Sequence, residues 1–198
     1  MVPFLLSEEM EYEDSVYEES SLLGLSLERS RFFSVTFRSC NFQSTDLQDC
    51  SFERCLFSDC DFSAAKLGGS LLKECSFSDC KMLASSFSKS VFSQCRFTNC
   101  NLSYADYDGS CLKKGCSFTK CICKEAGLTN CKWTNPLFKE CDFDGASFTG
   151  TPLRNIDMSS CSLENLIVSE HHHELSGMKI SHAQAASIAA LLGVTIEN

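Results

Sequence analysis

"FRSCNFQSTDLQDCSFERCLFSDCDF", residues 37–62, places Phe37, Phe42, Leu47, Phe52, Phe57 and Phe62 at every fifth position. Cys40, Cys50, Cys55 and Cys60 each stand two residues before one of them. No regular element tolerates that spacing. In a helix five steps turn ~500°, so the large residues would wander around the axis. In a flat strand an odd period puts every second Phe on the wrong face. The chain must therefore turn within each five. A small residue pointing in, a polar residue pointing out and a large residue pointing in make a three-residue strand. The remaining two residues, often Ser, Asp, Asn, Gly or Lys, make a corner. A chain that turns the same way after every short strand coils into a solenoid with a filled interior.

The period extends from Leu22 to Leu112 as nineteen apolar centres, slips by one residue near Gly115, and resumes at Phe118 for eleven more to Val168. Of the 16 Phe, all but Phe4 and Phe33 are centres. A repeat of this regularity takes precedence over any local pattern. Sorting the small positions by fours gives a column of seven Cys: Cys40, Cys60, Cys80, Cys100, Cys121, Cys141 and Cys161. The next column reads Thr45, Ala65, Ser85, Ala105, Ala126, Ala146, with no Cys. Sorting by threes mixes the sets. Stacked like residues predict a four-sided coil of about 20 residues and about seven and a half coils.

On these residues the chain resembles the pentapeptide repeat family, over roughly residues 20–170. The resemblance implies an all-β solenoid, a right-handed quadrilateral β-helix. The segment "GMKISHAQAASIAALLGVTIEN" changes character. Ser181 with Gln184 reads as an N-cap and capping box, and Ala185, Ile188, Leu191 and Leu192 form a helical apolar stripe ended by Gly193. Val194–Ile196 reads as a last strand. This segment resembles the short α-helical cap of the quinolone-resistance (Qnr) and MfpA-like members, and "TPLRNIDMSS" and "LLGV" add to the similarity. The resemblance implies a two-fold dimer built by residues 171–198, through Met178, Ile180, Ile188, Leu191, Leu192, Val194 and Ile196. Long projecting loops, which some members carry, are missing, so the match is to loop-free forms.

Fifteen Cys in a secreted chain would suggest disulfides. The first residues, "MVPFLLSEEMEYEDS", lack a basic start and have only a short apolar run, unlike a signal peptide. Thirteen of the Cys occupy the small inward position, where Ala, Ser and Thr replace them. There a Cys acts as a small hydrophobe, and reduced thiols imply the cytoplasm. Cys111 is expected outward, the best candidate for a reactive thiol. Cys123 replaces a large centre. His171, His172 and His173 lack metal-site spacing and read as a turn, so no metal or cofactor is expected.

No catalytic set, phosphate-binding glycine loop or carboxylate cleft is recognisable, and a filled interior leaves no pocket. The expectation is therefore a protein without enzymatic activity that works through its surface. Net charge is −9, but residues 1–19 hold seven acids and no base, so residues 20–170 are close to neutral. The acidic segment reads either as a poor first coil, with Tyr12 and Tyr17 at the five-residue spacing, or as a solvated tail. Two adjacent sides of the coil are acidic, carrying Asp61, Asp142 and Asp144 on one and Asp46, Asp49, Asp106 and Asp108 on the other. A further side, holding Arg31, Arg54, Lys73, Lys113, Lys114, Lys132 and Arg154, is basic. The family resemblance implies that the acidic edge imitates DNA, binding DNA gyrase or topoisomerase IV and protecting it from quinolones. The alternatives are ordinary solvated faces on an interaction scaffold with another protein partner, or nucleic-acid binding through the basic side. Overall charge opposes the last. No membrane partner is expected.

Overall fold

The computed structural model describes residues 6–195 and 197. The chain winds as a four-sided parallel β-solenoid. One side is a seven-stranded sheet of β1 (Glu11–Glu13), β3 (Arg31–Phe33), β5 (Ser51–Glu53), β7 (Leu71–Lys73), β9 (Val91–Ser93), β11 (Cys111–Leu112) and β13 (Lys132–Trp133). The next side is a second seven-stranded sheet of β2 (Val16–Glu18), β4 (Thr36–Arg38), β6 (Leu56–Ser58), β8 (Ser76–Ser78), β10 (Arg96–Thr98), β12 (Ser117–Thr119) and β14 (Leu137–Lys139). The third and fourth sides are joined by single parallel bridges, such as Asn41 to Asp61 and Asp46 to Lys66.

The strands lie one residue later than the spacing predicts. Each is centred on its large residue, as in Ser51–Glu53 around Phe52. The small residue belongs instead to the corner, because both its polar groups are used there. On the third side the Thr45 N–H closes a turn on the Phe42 carbonyl at 3.1 Å, with Ser44 at φ 54°. That positive φ at the third position is what a type II turn requires. The Thr45 hydroxyl then donates to the Leu22 carbonyl of the preceding coil at 2.7 Å. Cys thiols do the same more weakly: Cys55 reaches the Phe32 carbonyl at 3.3 Å and Cys75 that of Phe52 at 3.4 Å. A small side chain with a donor therefore fits where Ser, Thr and Cys alternate.

The interior is a set of ring ladders. Phe37, Phe57, Phe77, Phe97 and Phe118 stack with centroids 4.6–5.2 Å apart and planes within 5°. That is the parallel-strand spacing expressed in side chains. Each ring is held by the coil above and below, so the coils stabilise one another as nearest neighbours.

The acidic N-terminal segment is a coil. Tyr12 stacks on Phe32 and Tyr17 on Phe37, each at 5.1 Å. Three of its acids meet arginines one coil on: Glu9 with Arg29 at 2.8 Å, Glu11 with Arg31 at 3.0 Å and Glu18 with Arg38 at 2.7 Å. The register slip is absorbed at one corner, so that Phe97 pairs with Phe118 and Cys111 with Lys132. Gly115 takes φ 89° there, and a Cβ would come within 3.3 Å of the Gln94 Cα.

At the C-terminal end, a 3-10 turn at His173–Leu175 and another at His182–Gln184 lead into helix α1 (Ala185–Leu191), which Gly193 ends at φ 74°. Gln184 makes its half of the expected capping box, accepting the Ser181 N–H at 2.6 Å. The expected last strand does not form over Val194 and Thr195: the Val194 N–H turns back to the Ala189 carbonyl at 2.8 Å. Ile196 lies outside the described residues.

Candidate functional site

The seven acids singled out by the sequence do fall on two adjacent sides, the third and fourth, but in groups separated by lysines. On the fourth side the outward column runs Asp46, Lys66, Ser86, Asp106, Gly127, and on the third Asp61, Lys81, Asn101, Ile122, Asp142. Asp46 and Asp106 are three coils apart, or ~14 Å at the strand spacing.

Most of these carboxylates also have a local task that the sequence reasoning missed. Asp46 accepts the Gln48 N–H at 3.2 Å, Asp61 that of Ser63 at 2.9 Å, Asp106 that of Asp108 at 2.9 Å and Asp142 that of Asp144 at 3.1 Å. Asn41 and Asn101 make the same bond. Each is an Asx turn that fixes the corner following it. The signal was present as Asp or Asn directly before a centre, in "NF", "DL", "DF" and "DY". One carboxylate oxygen is thus committed to the turn, and the other has a second contact within the chain: Gln48 on Asp46, Gln43 on Asp61, Ser86 on Asp106 at 3.4 Å and Lys124 on Asp142.

Neutralisation divides the set further. Lys66 reaches Asp46 at 3.5 Å, and Lys124 lies 3.3 Å from Asp142 and 3.9 Å from Asp144. Asp49, Asp61, Asp106 and Asp108 have no base within 4 Å among the described residues. Asp49 lies over Gly69 of the next coil, where a Cβ would collide with its carboxylate. Asp106 also faces a glycine, Gly127, but there a Cβ would lie 3.7 Å from its Oδ1, an ordinary contact. Asp108 accepts from Thr129 at 2.7 Å and Asn130 at 2.8 Å, and these bonds hold its carboxyl below the usual aspartate range. The sequence reading also passed over Asp59 and Asp79. They occupy successive corners between the second and third sides, beside Asp61, in "SDCDF" and "SDCKM".

The cap residues divide as well. Met178, Ile180, Ile188 and Leu191 pack on the core, whereas Leu192 is 48% and Val194 55% exposed. Four of the residues expected at a dimer contact thus close the end of the solenoid. Cys111 is partly exposed, and the other fourteen thiols are buried. Burial pushes Cys50 up to about 12 and Cys116 up to about 11, away from thiolate chemistry. No group of three or more metal-ligating side chains occurs among the described residues, and no helix there is long and apolar enough to cross a membrane.

Two family models match the sequence, a pentapeptide repeat region over residues 50–128 and pentapeptide repeats in eight copies over residues 121–159. The chain is a pentapeptide repeat protein. Solved members of similar shape include full-length QnrB1, a plasmid-mediated fluoroquinolone resistance protein, at 20% identity and TM-score 0.40, with 93% of this chain and 100% of that chain covered. HetL from the cyanobacterium Nostoc, involved in regulating heterocyst differentiation, aligns at 15% identity and TM-score 0.42, covering 87% of this chain and 85% of its own. A search of curated proteins finds no sequence match.

Proposed function

We propose that this pentapeptide repeat protein acts without catalysis, as a rod that binds the basic DNA track of a type II topoisomerase, DNA gyrase or topoisomerase IV, through its acidic edge. One observation carries this reading: Asp49, Asp61, Asp106 and Asp108 stand on two adjacent sides without ion pairs, on a scaffold whose repeat fixes their spacing. Charges held on a rigid frame do not lose side-chain entropy on binding, and they steer association with a basic surface. The edge is far less charged than a duplex, which carries one charge per ~1.7 Å, so the imitation is partial. A solved protein of similar fold, QnrB1, is described as a fluoroquinolone resistance protein, which makes gyrase the first partner to test.

The test is gyrase supercoiling and drug-stabilised cleavage with the protein titrated in, with and without a fluoroquinolone. Rescue of supercoiling that disappears in the Asp106→Asn/Asp108→Asn protein supports the proposal. Asn retains one oxygen, enough to accept the Asp108 N–H at position 106 and the Thr129 and Asn130 donors at position 108, so the loss would report charge. Absence of rescue, or rescue unaffected by these substitutions, overturns it. In that outcome the protein is a scaffold for another partner, and exposed Leu56 and Leu137 of the second sheet offer the first surface to probe.

A further inference from the structure

Tyr104 stands where the fold asks for a small residue. It takes the left-handed position of the corner between the third and fourth sides, at φ 60°. In neighbouring coils that position holds Ser44, Ala64, Ala84, Glu125 and Gly145. A bulky aromatic at positive φ is strained, and Tyr104 is the only Phe, Tyr or Trp so placed among the described residues. Burial does not offset the strain: Tyr104 is 54% exposed, whereas the other described Phe, Tyr and Trp are buried or half-buried. Strain at a residue that adds nothing to the core points to a role on the surface. The side chain is also held in place. Its hydroxyl donates to Glu125 Oε1, one coil on, at 2.9 Å, so the ring lies along the corner and is fixed at both ends.

Three carboxylates share this corner. Glu125 holds the hydroxyl, and Asp106 and Asp108 are the first outward residues of the fourth side after the turn. None of the three has a base within 4 Å among the described residues, because Lys124 is turned to Asp142 at 3.3 Å and Asp144 at 3.9 Å. Asp108 uses its Oδ1 on Thr129 and Asn130, and Glu125 its Oε1 on Tyr104. The second oxygen of each has no hydrogen bond among the described residues.

We infer that Tyr104, Asp106, Asp108 and Glu125 form a subsite for one arginine side chain of the protein partner, with the guanidinium lying on the tyrosine ring and bonding the open carboxylate oxygens. The subsite lies on the acidic edge and rests on the proposal that this edge binds a basic partner. A planar guanidinium suits a ring face and carries donors at its rim, whereas an ammonium is a compact, strongly hydrated charge. An apolar group here would leave the carboxylates unpaired, and an acidic one would be repelled. The chain makes the same pairing with its own residues, where the Arg54 Cζ lies 4.1 Å from the Phe33 ring centroid. A fixed ring among carboxylates also gives the edge one defined point of registry, which separated aspartates alone do not supply.

Binding of the full chain to hexa-arginine and hexalysine peptides at low salt, and to gyrase, tests the inference. The expected result is tighter binding of hexa-arginine than of hexalysine. Tyr104→Asn should abolish that preference and weaken gyrase binding at least about fivefold. Its urea midpoint should equal or exceed that of the unsubstituted chain, because Asn tolerates the left-handed corner better. Tyr104→Phe keeps the ring and should keep the preference. Asp106→Asn/Asp108→Asn should weaken binding of both peptides. Equal binding of the two peptides, or a preference that survives Tyr104→Asn, overturns the inference whatever gyrase does. So does a preference lost equally in Tyr104→Phe, or a lower urea midpoint in Tyr104→Asn, which would make Tyr104 a structural residue. A preference that depends on Tyr104, found without any binding to gyrase, supports the arginine subsite and overturns the topoisomerase proposal alone.

Discussion

The side-chain amide of Gln184 donates to the Met158 carbonyl at 2.8 Å and to the Cys161 carbonyl at 2.6 Å. These are carbonyls that a further coil would have taken up. One buried side chain therefore stands in for the next turn of the solenoid. Its oxygen is used as well, by Ser181. Gln184→Leu keeps the volume but leaves the Cys161 carbonyl without a partner, while the Met158 carbonyl still accepts the Cys161 N–H at 3.0 Å, at a cost of about 1–3 kcal/mol before relaxation. The expected result is a loss of about 1–3 kcal/mol in urea unfolding. Faster amide exchange should be confined to residues 156–192.

Tyr107 offers the opposite case. Its ring stacks on Phe87 at 4.9 Å, but its hydroxyl is buried and unpartnered among the described residues. Burial, with the thiol of Cys123 nearby, pushes its ionisation far above the usual tyrosine value. A buried hydroxyl without a partner costs about 1–3 kcal/mol. Tyr107→Phe should therefore stabilise the protein by about 1 kcal/mol, seen as a higher urea midpoint at unchanged slope.

Acid should loosen the C-terminal end first. Glu174 is buried; that burial alone would raise its carboxyl. The Gly150 N–H at 2.8 Å and the Ser169 hydroxyl at 2.8 Å outweigh it and hold the group below its ordinary 4.5. A carboxyl depressed in the folded state contributes stability that is full above the unfolded value and lost as pH falls through the folded one. Stability should thus decline below about pH 4.5. Glu174→Gln should flatten that part of the profile, measured by thermal unfolding between about pH 3 and 6.

The solenoid was legible because one physical constraint repeats thirty times: a large side chain must reach a shared axis at every fifth residue. Phe52, Phe57 and Phe62 say the same thing, so one exception, such as Cys123, does not obscure it. The N-terminal coil was ambiguous because Tyr12 and Tyr17 kept the period while the acids around them suggested a tail. The arginines that resolve it, Arg29, Arg31 and Arg38, lie twenty residues on, a distance that means contact only once the coil length is known. The acidic sides were legible as charge, but not as structure. Asp46 and Asp106 look alike in sequence, yet only Asp46 has a lysine in the next coil, and both spend an oxygen on the turn.

That double use decides how the edge must be probed, and Asp61 shows why. Its Oδ1 accepts the Ser63 N–H at 2.9 Å and the Ser63 hydroxyl, and its Oδ2 accepts from Gln43 at 2.8 Å. Burial raises its carboxyl, but these donors together hold it below the usual range. Asp61→Ala removes the charge and the turn together and should cost about 1–3 kcal/mol. Asp61→Asn keeps an acceptor for the Ser63 N–H, as Asn41 and Asn101 do on the same side, and should cost less than about 1 kcal/mol. If the edge binds a basic partner, the two variants should weaken binding alike while differing in stability, which calorimetry of both on one sample set would show. If binding follows stability instead, with the Asn protein near normal and the Ala protein impaired, then Asp61 serves the corner and not the partner.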